Sequence, residues 1–139
     1  MRIRLLTAVS DTQTCDLLQS LLNATRLLVP LDVELKEVHS RTELVERVRA
    51  NQDDLILLDW TLAGADTPRF VRELISLNPQ LRLIVLLPLQ LKQYRQSIWE
   101  AGAFSSIPKE NLEQEWLSGV LCLVYRAMER EVRLASSCS

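Results

Sequence analysis

Two short, wholly apolar runs limit what this chain can become: Leu55 to Leu58 (LILL) and Leu83 to Leu87 (LIVLL). Neither is long enough for a buried helix, and neither alternates as a half-exposed strand would. Both suit strands covered on two faces, which is the signature of a parallel sheet between helical layers. The segments around them show helical spacing. Residues 12–28 carry Cys15, Leu18, Leu21, Leu22 and Thr25 on one face, and Pro30 ends the stretch. Ser40 to Glu43 reads as a capping box ahead of Leu44, Val45 and Val48. Thr67-Pro68 reads as N-cap and first turn of a helix with Phe70, Val71, Leu74 and Ile75, closed at Asn78-Pro79.

Arg2 to Val9 and Val33 to Val38 supply two more strands, and Phe104 to Ile107 a fifth. Tyr94, Ile98 and Ala101 mark a fourth helix that ends near Gly102, with Trp99 expected to pack inward. Asn111 with Gln114 caps a last helix bearing Leu117, Val120, Leu121, Val124 and Met128. Strand and helix therefore alternate five times. Right-handed crossovers then give a doubly wound (βα)5 α/β sandwich with a five-stranded parallel sheet. The order expected is 2-1-3-4-5.

Composition removes several functions. The chain has 139 residues, the size of one domain, with 16 basic and 18 acidic residues. That balance offers no basic excess for nucleic acid. No apolar run is long enough to cross a bilayer, so a cytoplasmic protein is expected. Cysteines at 15, 122 and 138 form no CxxC, and His39 is the single histidine, so no zinc site is expected. Three glycines, Gly64, Gly102 and Gly119, are too few and too scattered for a dinucleotide fingerprint or a P-loop.

In a doubly wound sheet, sites form where the strands end. The first strand ends in Ser10-Asp11, the third in Asp59-Trp60, the fourth in Leu87-Pro88 and the fifth in Pro108-Lys109. Acids and a lysine thus converge from three strand ends. With this order, the segments DLILLDWTLAGAD (54–66) and AGAFSSIPK (101–109) resemble the receiver domain of two-component response regulators. The resemblance covers about residues 3–128. It implies a CheY-like receiver over residues 1–130, followed by a short polar tail over 131–139. It implies Asp59 as phosphoacceptor, Lys109 as a contact to phosphate or to Asp59, and Asp11 with Asp59 as ligands of weakly bound Mg²⁺, if a cofactor is bound at all. The partners implied are a histidine kinase or a downstream effector.

The chain departs from that pattern. Where receivers pair two acids after strand 1, it offers either Ser10-Asp11, keeping one acid, or Val9-Ser10, keeping none. Leu87 stands where a Ser/Thr is usual, and it cannot donate to a phosphoryl oxygen. Ser106 stands where an aromatic is usual, and Glu110 follows Lys109 in place of proline. These losses suggest a pseudo-receiver: an impaired aspartyl-phosphate switch, no enzyme activity, and action through protein–protein contacts. The alternative is a phosphorylatable receiver; a small-molecule binder of flavodoxin-like fold is a third reading. Tyr94, Trp116, Leu123 and Tyr125 are the candidate interaction surface, which on helices 4 and 5 could also pair two copies.

Overall fold

A computed structural model describes residues 2–137. Five strands and five helices alternate along it: β1 Arg2–Ala8, α1 Thr12–Leu28, β2 Asp32–Val38, α2 Arg41–Ala50, β3 Leu55–Asp59, α3 Thr67–Leu77, β4 Leu83–Leu87, α4 Arg95–Glu100, β5 Ser105–Pro108 and α5 Gln114–Ser137. The strands form one parallel sheet in the order β2-β1-β3-β4-β5. This is the doubly wound sandwich that the alternating pattern predicts.

The two apolar runs explain the layering. Along β3, Ile56 and Leu58 enter a core with Leu44, Val48, Phe70, Val71 and Leu74 from α2 and α3. Leu55 and Leu57 point the other way, onto Leu18 and Leu22 of α1 and Leu117 and Leu121 of α5. Every residue of β3 and β4 is buried. Each such leucine contributes roughly 1.5–3 kcal/mol by leaving water. A slip of one residue would merely exchange two apolar faces along these strands, so the outer strands and the connections must fix the register.

Local chemistry sets the helix starts. Ser40 Oγ accepts from the Glu43 N–H at 3.2 Å, as the capping box requires. Asp11 is the N-cap of α1, accepting from the Thr14 N–H at 2.8 Å. The cap of α3 falls on Asp66, one residue before Thr67, whose hydroxyl instead bonds the Gly64 carbonyl at 2.6 Å. Asn111 is not the cap of the last helix; it belongs to a 3-10 turn, Lys109–Asn111, and α5 begins at Gln114. The segment from 131, set off as a tail, continues α5 through Ser137, and Glu131 pairs with Arg82 at the start of β4. Positions 138 and 139 lie outside the described residues. No described helix is long and apolar enough to cross a membrane.

Candidate functional site

The sheet register brings the predicted residues to one edge. Asp59 is level with Leu86, and Leu87 with Pro108, so the ends of β3, β4 and β5 lie side by side. Asp59 is completely buried. Its Oδ2 accepts from Lys109 Nζ at 2.8 Å and its Oδ1 from the Thr61 N–H at 3.2 Å. Lys109 is more accessible, its side chain 23% exposed, and it also lies 3.7 Å from Asp11 Oδ1. Asp11, Asp59 and Lys109 are thus brought together, with Asp11 in the place that a pairing of Ser10 with Asp11 gives it.

Asp11 has two duties. Its Oδ2 caps α1 through the Thr14 N–H and hydroxyl, the latter at 2.7 Å. Its Oδ1 is buried with no hydrogen-bond partner. Burial alone would raise the Asp11 pKa. The two Thr14 donors and the Lys109 charge overturn that and hold it below the ordinary carboxylate value.

The unpartnered Asp11 oxygen tests the fit to a divalent cation. Mg²⁺ accepts one or two carboxylates completed by water and phosphate, so Asp11 and Asp59 would hold it. Among the described residues no cluster of three or more His, Cys, Asp or Glu side chains could ligate a metal. The Lys109 ammonium lies within reach of both carboxylates. Two acids sharing one ammonium leave less negative charge for a metal than an unpaired acidic cluster would, so the fit is to a weak site.

The β4 side of the pocket lacks donors. Leu87 is buried and apolar, and Pro88 has no N–H. The next backbone N–H, that of Leu89, is taken at 2.7 Å by Glu110 Oε2. Lys109 and Glu110 therefore reach from one turn to two neighbouring strand ends, one by cation and one by anion. Sequence reasoning noted Glu110 as a departure but missed this contact; an acid directly after the lysine was the available signal. It also missed Thr61, whose hydroxyl meets Ser10 Oγ at 3.0 Å across the site.

The proposed contact residues divide. Trp60 is buried, and its ring lies 4.8 Å from that of Tyr94, tilted by 49°. Tyr94 is therefore half-buried against the residue after Asp59. Trp116 and Tyr125 pack on the α1/α5 core, and Leu123 remains 59% exposed. Trp99, expected inward, is 65% exposed. The helical phase read from Tyr94 carries through Ile98 and Ala101, both buried, and Trp99, one residue after Ile98, falls off that stripe.

No family model matches the chain, and no curated protein matches it in sequence. Solved structures do match it. A two-component response regulator from Clostridium difficile superposes with a TM-score of 0.73 at 17% identity, covering 91% of this chain and 98% of the other. The chain has the fold of a response-regulator receiver domain. The receiver of a sensor histidine kinase from Pseudomonas aeruginosa, described with magnesium in its active-site cleft, gives 0.69 at 17% identity, over 87% and 95% of the two chains. A pilus assembly-related protein from Burkholderia pseudomallei gives 0.70 at 19% identity, over 88% of each chain. This receiver fold thus carries an aspartate, a lysine and one further acid at its strand-end edge, and an apolar, proline-bearing β4 end beside them.

Proposed function

We propose that this chain is a receiver-like signalling module that works by binding protein partners, with its aspartyl-phosphate switch impaired. The observation that carries the reading is the closed Asp59–Lys109 pair beside a β4 end without a donor. Phosphoryl transfer depends on positioning and on positive charge against the equatorial oxygens. Lys109 is spent on Asp59, Leu87 and Pro88 donate nothing, and the Leu89 N–H is held by Glu110. Mg²⁺ bound weakly by Asp11 and Asp59 would add charge against a phosphoryl group. The chain's own residues instead hold one arrangement: Lys109 fixes Asp59, Thr61 orients its other oxygen, and Glu110 ties down the start of the β4–α4 connection. Output would then rest on surfaces, including a pairing of two copies through α4 and α5. The protein is not proposed to be an enzyme.

The second reading is a receiver that accepts a phosphoryl group on Asp59 from a histidine kinase. The buried Asp11 Oδ1 favours it: it has no hydrogen-bond partner and only the Lys109 ammonium 3.7 Å away, so it can turn to a metal cation. Incubation with acetyl phosphate and Mg²⁺, read by intact mass, separates the two. An unmodified chain is expected. An added phosphoryl group in the wild type, absent from Asp59→Asn, would establish the second reading.

A further inference from the structure

We infer that the groove between α3 and α4 binds a phosphorylated serine or threonine of a partner protein, with Arg69 and Arg72 holding the phosphate. The inference rests on the proposed role in partner binding and gives that partner a chemistry.

The groove follows from the way α3 is sorted by charge. Its inner face, with Phe70, Val71 and Leu74, is buried and fixes the helix on the sheet. Its acids stand on the α2 side. Asp66, at the cap, is drawn to Arg41 by a 3.0 Å ion pair, and Glu73 lines the space between α2 and α3. Arg69 and Arg72 stand on the α4 side, both exposed. They are three apart, so they are neighbours on the helix surface. Neither forms an ion pair among the described residues. α4 contributes Ser97 and Glu100, and the short side chains of Ala65 and Pro68 complete the lining. The space left is about 450 Å³, within the range of roughly 300–1,000 Å³ over which proteins seat ligands.

Charge and shape select the ligand. From Thr67 to Glu100, the start of α3 to the end of α4, the chain carries five basic and two acidic side chains, on a chain whose net charge is −2. This surface therefore attracts anions. No aromatic ring lines the groove, so nothing there stacks a nucleotide base, and the ligand is held by its charge. Guanidinium forks match phosphate oxygens two at a time. A phosphorylated side chain brings about −1.5 to −2 charges and three acceptor oxygens on one atom, and the Ser97 hydroxyl is a further donor. Glu100, already bonded by Gln96 at 3.0 Å, borders the groove and repels a second acid. A single doubly charged group between uncharged neighbours therefore fits better than a run of acids. Neither Asp59 nor Lys109 lines this groove, so its occupancy can be read apart from theirs.

The test is an NMR titration of the ¹⁵N-labelled chain with the peptide acetyl-Gly-Ala-phosphoserine-Ala-Gly-amide. Saturable shifts at the Arg69, Arg72 and Ser97 amides are expected. The unphosphorylated peptide, and one with Glu in place of phosphoserine, should bind about tenfold or more weaker. Arg69→Glu with Arg72→Glu should abolish binding and leave the melting temperature unchanged, since both side chains are exposed. Arg69→Lys with Arg72→Lys keeps the charge and loses the forks, and should weaken binding about tenfold. Equal binding by the lysine variant, by the unphosphorylated or Glu peptide, or by oligo-dT would overturn the assignment, as would saturation without shifts at these positions. Inorganic phosphate binding as tightly as the peptide would also overturn it and mark an adventitious ion only. Adding Mg²⁺ and beryllofluoride to the same protein separates the two claims. A chain that answers beryllofluoride and still binds the phosphopeptide overturns the impaired switch and keeps the groove. A chain indifferent to both overturns the groove alone.

Discussion

Removing the Lys109 ammonium should cost far more stability than removing the Asp59 charge. In Lys109→Met the Asp59 carboxylate stays at 0% exposure and keeps only the Thr61 N–H, at 3.2 Å. Breaking a buried ion pair on one side leaves an uncompensated charge, at a cost of about 3–5 kcal/mol. That is a large fraction of the roughly 5–15 kcal/mol holding a domain folded. In Asp59→Asn the amide oxygen can still accept from Thr61. The Lys109 side chain, 23% exposed, can turn to water or to Asp11 at 3.7 Å. The loss is then one hydrogen bond to a charged group, about 1.5–3 kcal/mol. The double variant leaves no unpaired charge, so it should resemble Asp59→Asn alone. The two changes should therefore couple by about 3–5 kcal/mol, the whole cost of Lys109→Met. Urea unfolding followed by tryptophan fluorescence reads all four proteins, provided their m-values agree. A loss below about 0.5 kcal/mol in Lys109→Met, or simple additivity in the double variant, would refute the buried-pair argument.

Other expectations are independent of that pair. Because the Asp11 pKa is lowered in the fold, its contribution is present above the ordinary carboxylate value and is lost as pH falls through the folded one. Asp11→Asn should therefore lose less stability than the wild type on acidification, and parallel acid limbs would contradict this. Gly102 has φ of +108°, and an added Cβ would meet Ile75 Cγ1 at 3.2 Å. Gly102→Ala should lower stability by about 1–3 kcal/mol. Gly119→Ala, in α5 with nothing within 4 Å, should raise it by about 0.5–1 kcal/mol; thermal melts of both decide. Leu123 is 59% exposed, so if two copies pair through α4 and α5 as proposed, Leu123→Glu should yield monomer by light scattering with an unchanged melting temperature. Unchanged mass would remove that face from any self-association.

Much of the fold could be read before the structure, for a physical reason. Leu55–Leu58 and Leu83–Leu87 can be satisfied only by a sheet covered on both sides, and crossover handedness then leaves few topologies. Asp59 and Lys109 were legible because strand ends bring residues together whatever their side chains do. What escaped depends on side-chain direction and on short irregular turns. Trp99 was expected inward, yet it directly follows Ile98 and so falls off the stripe of Tyr94, Ile98 and Ala101 that faces the core. Tyr94 looked like a surface aromatic because its partner, Trp60, lies 34 positions earlier in the sequence. Glu110 looked like a lost proline; its bond to the Leu89 N–H requires knowing how two loops approach. The last helix seemed to end near residue 130 because its apolar stripe ends at Met128, yet the backbone continues through Ser137.

The central claim is that Asp59 and Lys109 hold a closed arrangement with little capacity for a phosphoryl group. Trp60 adjoins Asp59 and is buried, so its fluorescence reports on the site. The decisive measurement is a titration with Mg²⁺, then with beryllofluoride as phosphoryl mimic, on wild type and Asp59→Asn. The account predicts no saturable, Asp59-dependent response up to tens of millimolar Mg²⁺, roughly speaking, far above what an ordinary carboxylate site needs. A saturable response in the wild type that vanishes in Asp59→Asn would show a working acidic pocket and contradict it.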